Sequence, residues 1–553
     1  MLRQILSLSF LLSATLVSAQ NTVGLLSYES NQTFDGYNII YPHNQPNVYL
    51  LDNCGEIVHL WEDEENFRPG NTAYLRDDGT LVKTKREAIV TDDAIWAGGG
   101  GETIEIRSWD NELIWSYTLN NENYRLHHDI APMQNGNIIA VAWEQKSREE
   151  AIQAGRDSMT LAQDKLWSEY IFEINPETDE IVWEWHMWDH LIQDFDPTKD
   201  NFGVIADHPE LVNINYDTHD GHPDWLHINA IDYSFARDQI IISVPYFDEV
   251  WILDQTTTTE QAAGSNGGFG NKGGDLLYRW GNPMAYDSGT EDDKKLFFQH
   301  DVHFIDDFVL GSNPHYNSIA VFNNRVGSDF STANIFKPDW DMYLSTYLTG
   351  PNDLYLPADF NVTLTHPTPQ KMYSTGLSSV QLLPNDNYLL TSGRSGYSFE
   401  LTPENDVVWE YKTPIVGEFP ATQGDSLSIN NNLTFRMKRF PKEYAAFEGK
   451  DLNSKGWIEL EPNETLCDEL LDIEVLADEY NLTLYPNPTS NYLVVDWDAG
   501  MYTYLDIYDA HGQKITSLMR TGGRVYLDVS EWNAGVYFVQ IDKVKAAKFV
   551  VKR

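Results

Sequence analysis

Two short patterns of polar and apolar positions alternate through most of the chain. One is a polar turn followed by an apolar run, as in Leu75-Arg76-Asp77-Asp78-Gly79-Thr80-Leu81-Val82, Met133-Gln134-Asn135-Gly136-Asn137-Ile138-Ile139 and Leu383-Pro384-Asn385-Asp386-Asn387-Tyr388-Leu389. Turns of this kind join two antiparallel strands in a hairpin. The other is a polar turn, a few mostly apolar residues and a tryptophan: Glu56 to Trp61, Glu112 to Trp115, Glu180 to Trp183, Asp275 to Trp280 and Asp406 to Trp409. Alternation runs on past the tryptophan in Trp183-Glu184-Trp185 and Trp409-Glu410-Tyr411. Short strands with a large aromatic at a fixed place in each unit predict an all-β fold and, within it, a β-propeller, whose blades each bury a large residue against a neighbour. Five units are clear and a sixth is inferred, which predicts six blades. A β-sandwich lacks the recurrent tryptophan and a solenoid has a tighter period.

Two stretches break the repeat. Residues Trp188 to His222 and Thr256 to Gly274 are too long for blade turns and are expected to form loops over one face, either walling a site or serving as a contact surface. Gly98 to Gly101 lack the Gly-Lys-Ser/Thr ending of a phosphate loop and read as a strand-connecting turn. The pattern stops in an acidic connector at Asp472 to Asn481. A second unit follows, with strands at Tyr492 to Trp497, Tyr504 to Tyr508, Arg524 to Val529 and Gly535 to Ile541, and turns at His511-Gly512 and Asn533-Ala534-Gly535. It reads as a small C-terminal β-sandwich. At the other end, Arg3, the apolar stretch Ile5 to Val17 and Val17-Ser18-Ala19 read as an export signal cleaved before Gln20. The expected organisation is a signal peptide at 1–19, a propeller at 20–471, a linker at 472–481 and a sandwich at 482–553.

Charge narrows the partners. With 84 acidic and 37 basic residues the formal charge is −47, which repels nucleic acid and anionic membrane surfaces. The apolar share, 42%, is enough to fill a core, and no apolar run after the leader reaches the ~20 residues of a membrane span. In an oxidising compartment Cys54 and Cys467 could tie the first repeat to the segment after the last, or stay apart.

Candidate chemistry lies in three distant histidine segments: His127-His128-Asp129, Asp224-Trp225-Leu226-His227-Ile228-Asn229 and Gln299-His300-Asp301-Val302-His303. Imidazole serves as nucleophile or acid/base near neutral pH. His127 and His59 read as structural. A metal reading would draw on Asp129 and Asp301, but the spacing offers only His300 and His303 as a close pair, and no metal is expected. The Asp194 to Asn201 loop has acidic residues for calcium but lacks the Gly and Glu of an EF-hand.

The C-terminal unit resembles the sorting domain of the type IX secretion pathway of Bacteroidetes, on Tyr485-Pro486-Asn487-Pro488, Ile507-Tyr508-Asp509-Ala510-His511-Gly512, Gly535-Val536-Tyr537-Phe538-Val539 and the basic end with Lys548, Lys552 and Arg553. The resemblance implies passage through the periplasm to the cell surface or medium by the type IX machinery, loss of the tail and attachment to surface polysaccharide.

The repeat region resembles the arylsulfate sulfotransferases, secreted six-bladed propellers that move a sulfuryl group between phenols without a nucleotide donor. The resemblance rests on His127-His128-Asp129-Ile130, Trp225-Leu226-His227-Ile228-Asn229-Ala230-Ile231, Gln299-His300-Asp301, Ser378-Ser379-Val380-Gln381 and Gly393-Arg394-Ser395-Gly396-Tyr397. It implies an aryl sulfate donor, a phenolic acceptor, no cofactor and a ping-pong cycle. His300 would be the nucleophile, His227 and Asn229 hydrogen-bond donors to the sulfuryl oxygens, and His128 the group that holds or exchanges the phenolic proton. His303 could orient His300 only if the strand bends between them. One departure stands out: the family arginine is replaced in Ile241-Ile242-Ser243-Val244-Pro245-Tyr246 by Pro245. Arg279 and Arg394 are the expected substitutes, although an arginine beside a blade tryptophan can also simply stack. The alternative function is a non-catalytic surface propeller that binds a ligand or polymer.

Overall fold

The computed structural model describes residues 21–467 and 482–553, apart from 91–92, 306–308, 310, 312, 342, 498–502, 510–512, 521–522 and 542–544. The expected leader, the connector at Asp472 to Asn481 and the His511-Gly512 turn lie outside the described residues.

The alternating segments form six antiparallel sheets, in order around the chain. Sheet 1 pairs Thr434–Pro441, Gly36–Pro42, Val48–Leu51 and Ile57–Trp61, and sheet 2 Phe67–Leu75, Leu81–Glu87, Thr103–Arg107 and Leu113–Thr118. Sheet 3 is Tyr124–Pro132, Ile138–Ser147, Lys165–Asn175 and Glu180–His186; sheet 4 is Ala230–Ser234, Gln239–Val244, Glu249–Asp254 and Tyr278–Trp280. Sheet 5 is His300–Phe304, Ile319–Asn323, Thr332–Phe336 and Val362–Leu364; sheet 6 is Ser379–Leu382, Tyr388–Ser392, Tyr397–Leu401 and Val407–Lys412. Gly24–Tyr28 adds a fifth strand to the outer edge of sheet 6. The first-named strands of neighbouring sheets lie against one another all the way round, from sheet 1 to sheet 6 and back.

The recurrent tryptophan has one job in every unit where it occurs. Trp61, Trp115, Trp183, Trp280 and Trp409 all stand on fourth strands, and each indole N–H reaches into the loop that follows the third strand of the next sheet. The acceptors are Ser108 O, Asp179 Oδ1, Thr257 Oγ1, Pro357 O and Asn53 O, at 2.7 to 3.1 Å. A buried indole both fills the space between sheets and must satisfy its single donor, and a loop at a fixed place meets that need. Sheet 5 ends in Val362–Leu364 and carries no such tryptophan, which is why only five units were readable.

Aspartates join the inner strands. Asp129 accepts from Ile231 N at 3.2 Å, Asp232 from Phe304 N at 2.8 Å and Asp301 from Val380 N at 2.9 Å, each in the following sheet. Arg436, on the strand that closes sheet 1, reaches between them: Nη2 donates to Asp129 at 2.7 Å, Nε to Asp301 and Nη1 to the Tyr74 hydroxyl. One guanidinium thus ties sheets 1, 2, 3 and 5. Cys54, in the loop after the third strand of sheet 1, is disulfide-bonded to Cys467.

The C-terminal unit has two sheets. Thr483–Tyr485, Tyr492–Asp496 and Arg524–Asp528 form one; Lys514–Arg520, Thr503–Asp509, Gly535–Ile541 and Lys545–Val551 form the other. Leu493, Val495 and Leu527 from the first share a core with Ile507, Val539 and Phe549 from the second.

Candidate active site

Antiparallel pairing decides which residues can meet. The start of a first strand and the end of its second strand lie at the same end of a sheet, so residues at these two places in all sheets crowd around one mouth. His227 and Asn229 immediately precede the first strand of sheet 4 and His300 begins that of sheet 5. His128 reaches the same place through a bulge: the pairing of Tyr124–Pro132 with Ile138–Ser147 shifts between Leu126 and Ile130, and His128 has φ of 50°. Strain of this kind concentrates at functional sites.

Each of the three imidazoles is held by its Nδ1. His300 Nδ1 lies 2.8 Å from Asn324 Oδ1, and the Asn324 amide donates to the carbonyls of Ser374 and Leu377, both at 3.0 Å. The amide nitrogen is therefore committed, Oδ1 must accept, and His300 carries its proton on Nδ1 with a lone pair on Nε2. His227 Nδ1 donates to Asp224, whose other oxygen accepts from Trp143 Nε1 at 3.0 Å. His128 Nδ1 lies 2.9 Å from His127 Nδ1. The three Nε2 atoms have no protein partner among the described residues. The His128 and His227 rings are 4.5 Å apart, and Phe298 stands between His227 and His300, at 6.4 and 5.7 Å from their rings. Gly99, in the glycine run, has φ of 84°, and a Cβ there would fall 1.9 Å from His128 Nε2, so this turn also makes room for the histidine.

Burial governs protonation. It pushes His300 and His127 down to about 3 and His43 to about 4, and holds His128 well below the usual imidazole range. All four are neutral at pH 7, which suits a nucleophile. In the unfolded chain they titrate near ~6.5 and take up protons that the folded chain refuses. Their contribution to stability is therefore complete above that pH and is lost as pH falls toward the folded values. The imidazole signals of these four histidines are expected to show no titration between about pH 7 and about pH 5; a transition near the unfolded value in nuclear magnetic resonance would contradict this burial.

Other expected residues end up elsewhere or in other roles. Arg279 is a correction: it is fully buried, paired through Nη2 and Nε with Glu249, and bonded to the carbonyls of Pro209 and Leu211 between Trp251 and Tyr286. Its charge is spent on a buried carboxylate, not offered to the histidines. Asn229 donates from its amide nitrogen to Gln299 O at 2.8 Å, which ties it to the segment before His300; its second amide hydrogen and its Oδ1 have no protein partner among the described residues. The chain does bend at Asp301, φ 57°, but His303 Nδ1 turns to Asp301 O and its ring lines a small cavity with Tyr74 and Arg436, away from the three Nε2 atoms. Asp129 and Asp301 hold Arg436, not a metal ion. The loop Trp188 to His222 reaches the mouth only at its end, where the His219 ring lies 4.3 Å from Tyr246; the glycine-rich stretch packs on His190 through Ala262 O instead.

Arg394 does reach the site. A Cβ on Gly376 would lie 3.4 Å from Arg394 Nη2 and 3.6 Å from His300 Cε1, so both line the same space. Four further residues were missed, all at the ends of second strands: His43, Tyr246, Asn324 and Arg325. Arg325 stacks 3.5 Å over Phe298 and donates Nε to Thr375 O; its terminal nitrogens have no protein partner among the described residues. Tyr246 stands between His227 and Phe298, at 5.0 and 5.5 Å. His43 Nε2 bonds Asn71, and beside it opens a cavity of about 740 Å³ lined also by Arg68 and Arg86. Their shared position, directly after a second strand, is the signal that could have found them.

The arylsulfotransferase (ASST) family matches residues 25–347, from the first strand through the His300 segment. The chain belongs to this family. The match takes in His128, His227, Asn229 and His300 and ends before Arg394. Membership supports a sulfotransferase-type activity. Residues 483–552 match the secretion system C-terminal sorting domain, which marks the protein for type IX export to the cell surface or medium. No helix among the described residues is long and apolar enough to cross a membrane. Among curated proteins none matches the sequence. Similar solved structures include a protein of unknown function from Bacteroides caccae, at 9% identity and TM-score 0.35 over 69% of this chain and 94% of that one. A streptogramin B lyase is similar at 10% and 0.32 over 77% and 96%, and the Dos1 propeller at 8% and 0.28 over 95% of each. At these scores they bear on neither activity nor substrate.

Proposed function

We propose that the protein is an arylsulfate sulfotransferase working through a sulfohistidine, with the six sheets as the blades of a six-bladed propeller and the tail as a β-sandwich. The observation that carries this reading is the set of three imidazoles gathered around Phe298 and Tyr246, each pinned at Nδ1 and each with an Nε2 that has no protein partner among the described residues. A binding module has no need of that arrangement.

His300 Nε2 attacks the sulfur of the aryl sulfate while Nδ1–H stays on Asn324, and the first phenol leaves; an acceptor phenol then takes the sulfuryl group. His227, oriented by Asp224, hydrogen-bonds a sulfuryl oxygen through Nε2, and His128 exchanges the phenolic proton. Arg394 and Arg325 supply the cation that Pro245 does not. A guanidinium hydrogen bond to a charged oxygen contributes about 1.5–3 kcal/mol, so Arg394→Ala and Arg325→Ala are each expected to lower kcat/KM by roughly 10- to 100-fold. Unchanged kcat/KM in both variants would remove them from the site.

The function itself is tested by release of p-nitrophenol from its sulfate ester in the presence of phenol. Acceptor-dependent turnover supports the transferase. No turnover across a panel of aryl sulfates leaves the alternative, a surface propeller that binds without catalysis.

A further inference from the structure

Behind His128 lies a group that the transfer reaction does not yet use. His127 Nδ1 is 2.9 Å from His128 Nδ1, and His127 Nε2 is 2.8 Å from Glu169 Oε2. Glu169 and the ring of His127 are sealed from solvent, and His127 is stacked on Trp143 at 4.1 Å, so the three groups are fixed in line. Glu169 Oε1 accepts from Ile228 N at 3.2 Å, while Oε2 faces His127 Nε2. The charged and titratable groups facing Glu169 are His127, Asp224 and His227.

We propose that Glu169 is the proton store of the sulfotransferase, connected to the substrate by a relay through His127 and His128. The proposal rests on the transferase reading above. When Glu169 is protonated, it donates to His127 Nε2, His127 Nδ1–H donates to His128 Nδ1, and His128 Nε2–H faces the substrate. As the donor's S–O bond breaks and the His300 Nε2–S bond forms, His128 gives this proton to the departing phenolate. His127 refills His128, Glu169 refills His127, and Glu169 ends as a carboxylate. In the second half-reaction the sequence reverses. The acceptor's O–H bond breaks as its oxygen bonds to sulfur, the proton passes through His128 and His127 to Glu169, and the S–N electron pair returns to His300. Both relay imidazoles are neutral at the start and end of each step, so no buried cation forms. Burial and the neighbouring Asp224 hold Glu169 well above the usual carboxylate range, in keeping with an acid that is protonated at rest. Glu169 touches no substrate atom; it acts through His127 and His128.

The test is Glu169→Gln, which keeps the shape but cannot exchange a proton. In a single turnover from the sulfated enzyme, transfer to phenol, which is protonated at assay pH, is expected to fall by about 10²-fold, while transfer to a phenol already ionised at that pH falls by far less. Equal losses with the two acceptors, or no loss with either, would overturn the relay. Should the variant fail to fold, the wild-type protein carries the test: in mixed H₂O and D₂O, single-turnover transfer from the sulfated enzyme to phenol should give a curved proton inventory, with more than one proton in flight, and transfer from it to the ionised acceptor none. A linear inventory that is the same for both acceptors overturns the relay. Absence of any p-nitrophenol burst from wild type overturns the transferase reading and the relay with it, an outcome distinct from an acceptor-independent loss.

Discussion

Replacing His300 with alanine is expected to abolish acceptor-dependent release of p-nitrophenol, a loss of at least about 10⁴-fold, with little change in the thermal midpoint. The size follows from the role: without a nitrogen at this position there is no covalent intermediate, and the remaining histidines can only assist a direct displacement. The side chain is small, and its loss strands one buried amide oxygen, Asn324 Oδ1, which a water at the mouth can satisfy. Asn324→Leu separates position from presence. His300 remains, but nothing holds its proton on Nδ1, so kcat should fall by less than in the alanine variant. Full activity in His300→Ala would move the nucleophile to His128 or His227.

The largest stability effect is expected at Arg436. Arg436→Met removes the cation between Asp129 and Asp301, whose side chains are almost fully buried at 1% and 6% exposure. Breaking a buried pair from one side leaves uncompensated charge and costs about 3–5 kcal/mol. A second contribution is topological: Arg436 sits on the strand that completes sheet 1 from the far end of the repeat, so its bonds hold the ring shut. Adding Asp129→Asn and Asp301→Asn should recover most of the loss, because asparagine can still accept from Ile231 N and Val380 N but carries no charge. Calorimetry of the single and triple variants measures this, and an unchanged midpoint in Arg436→Met would show that the carboxylates are solvated.

The fold was legible in the sequence where one physical need recurs. Every unit with a tryptophan on its fourth strand must seat an indole N–H in the next sheet, and that need leaves a letter at a fixed place. Sheet 5 meets the same packing demand without an indole and so leaves no mark. The histidines were legible because they lie in recognisable motifs, His300 at the start of a first strand, His227 just before one and His128 at a bulge within one. Asn324, Arg325, Tyr246 and His43 were not, because only antiparallel pairing brings second-strand ends back to the same mouth. Arg279 was misassigned for a different reason. Whether a polar side chain faces a ligand or a partner depends on what lies opposite, and Glu249 is 30 positions away. Burial next to such a partner leaves no local trace in the chain.

The most direct measurement is mass spectrometry of the mature protein after incubation with p-nitrophenyl sulfate in the absence of acceptor, quenched at alkaline pH and digested. The account predicts one sulfuryl group on the peptide bounded by Lys295 and Arg325, lost when phenol is added before the quench. A burst of p-nitrophenol with the group on a peptide carrying His128 or His227, or turnover with no modified peptide, would contradict it.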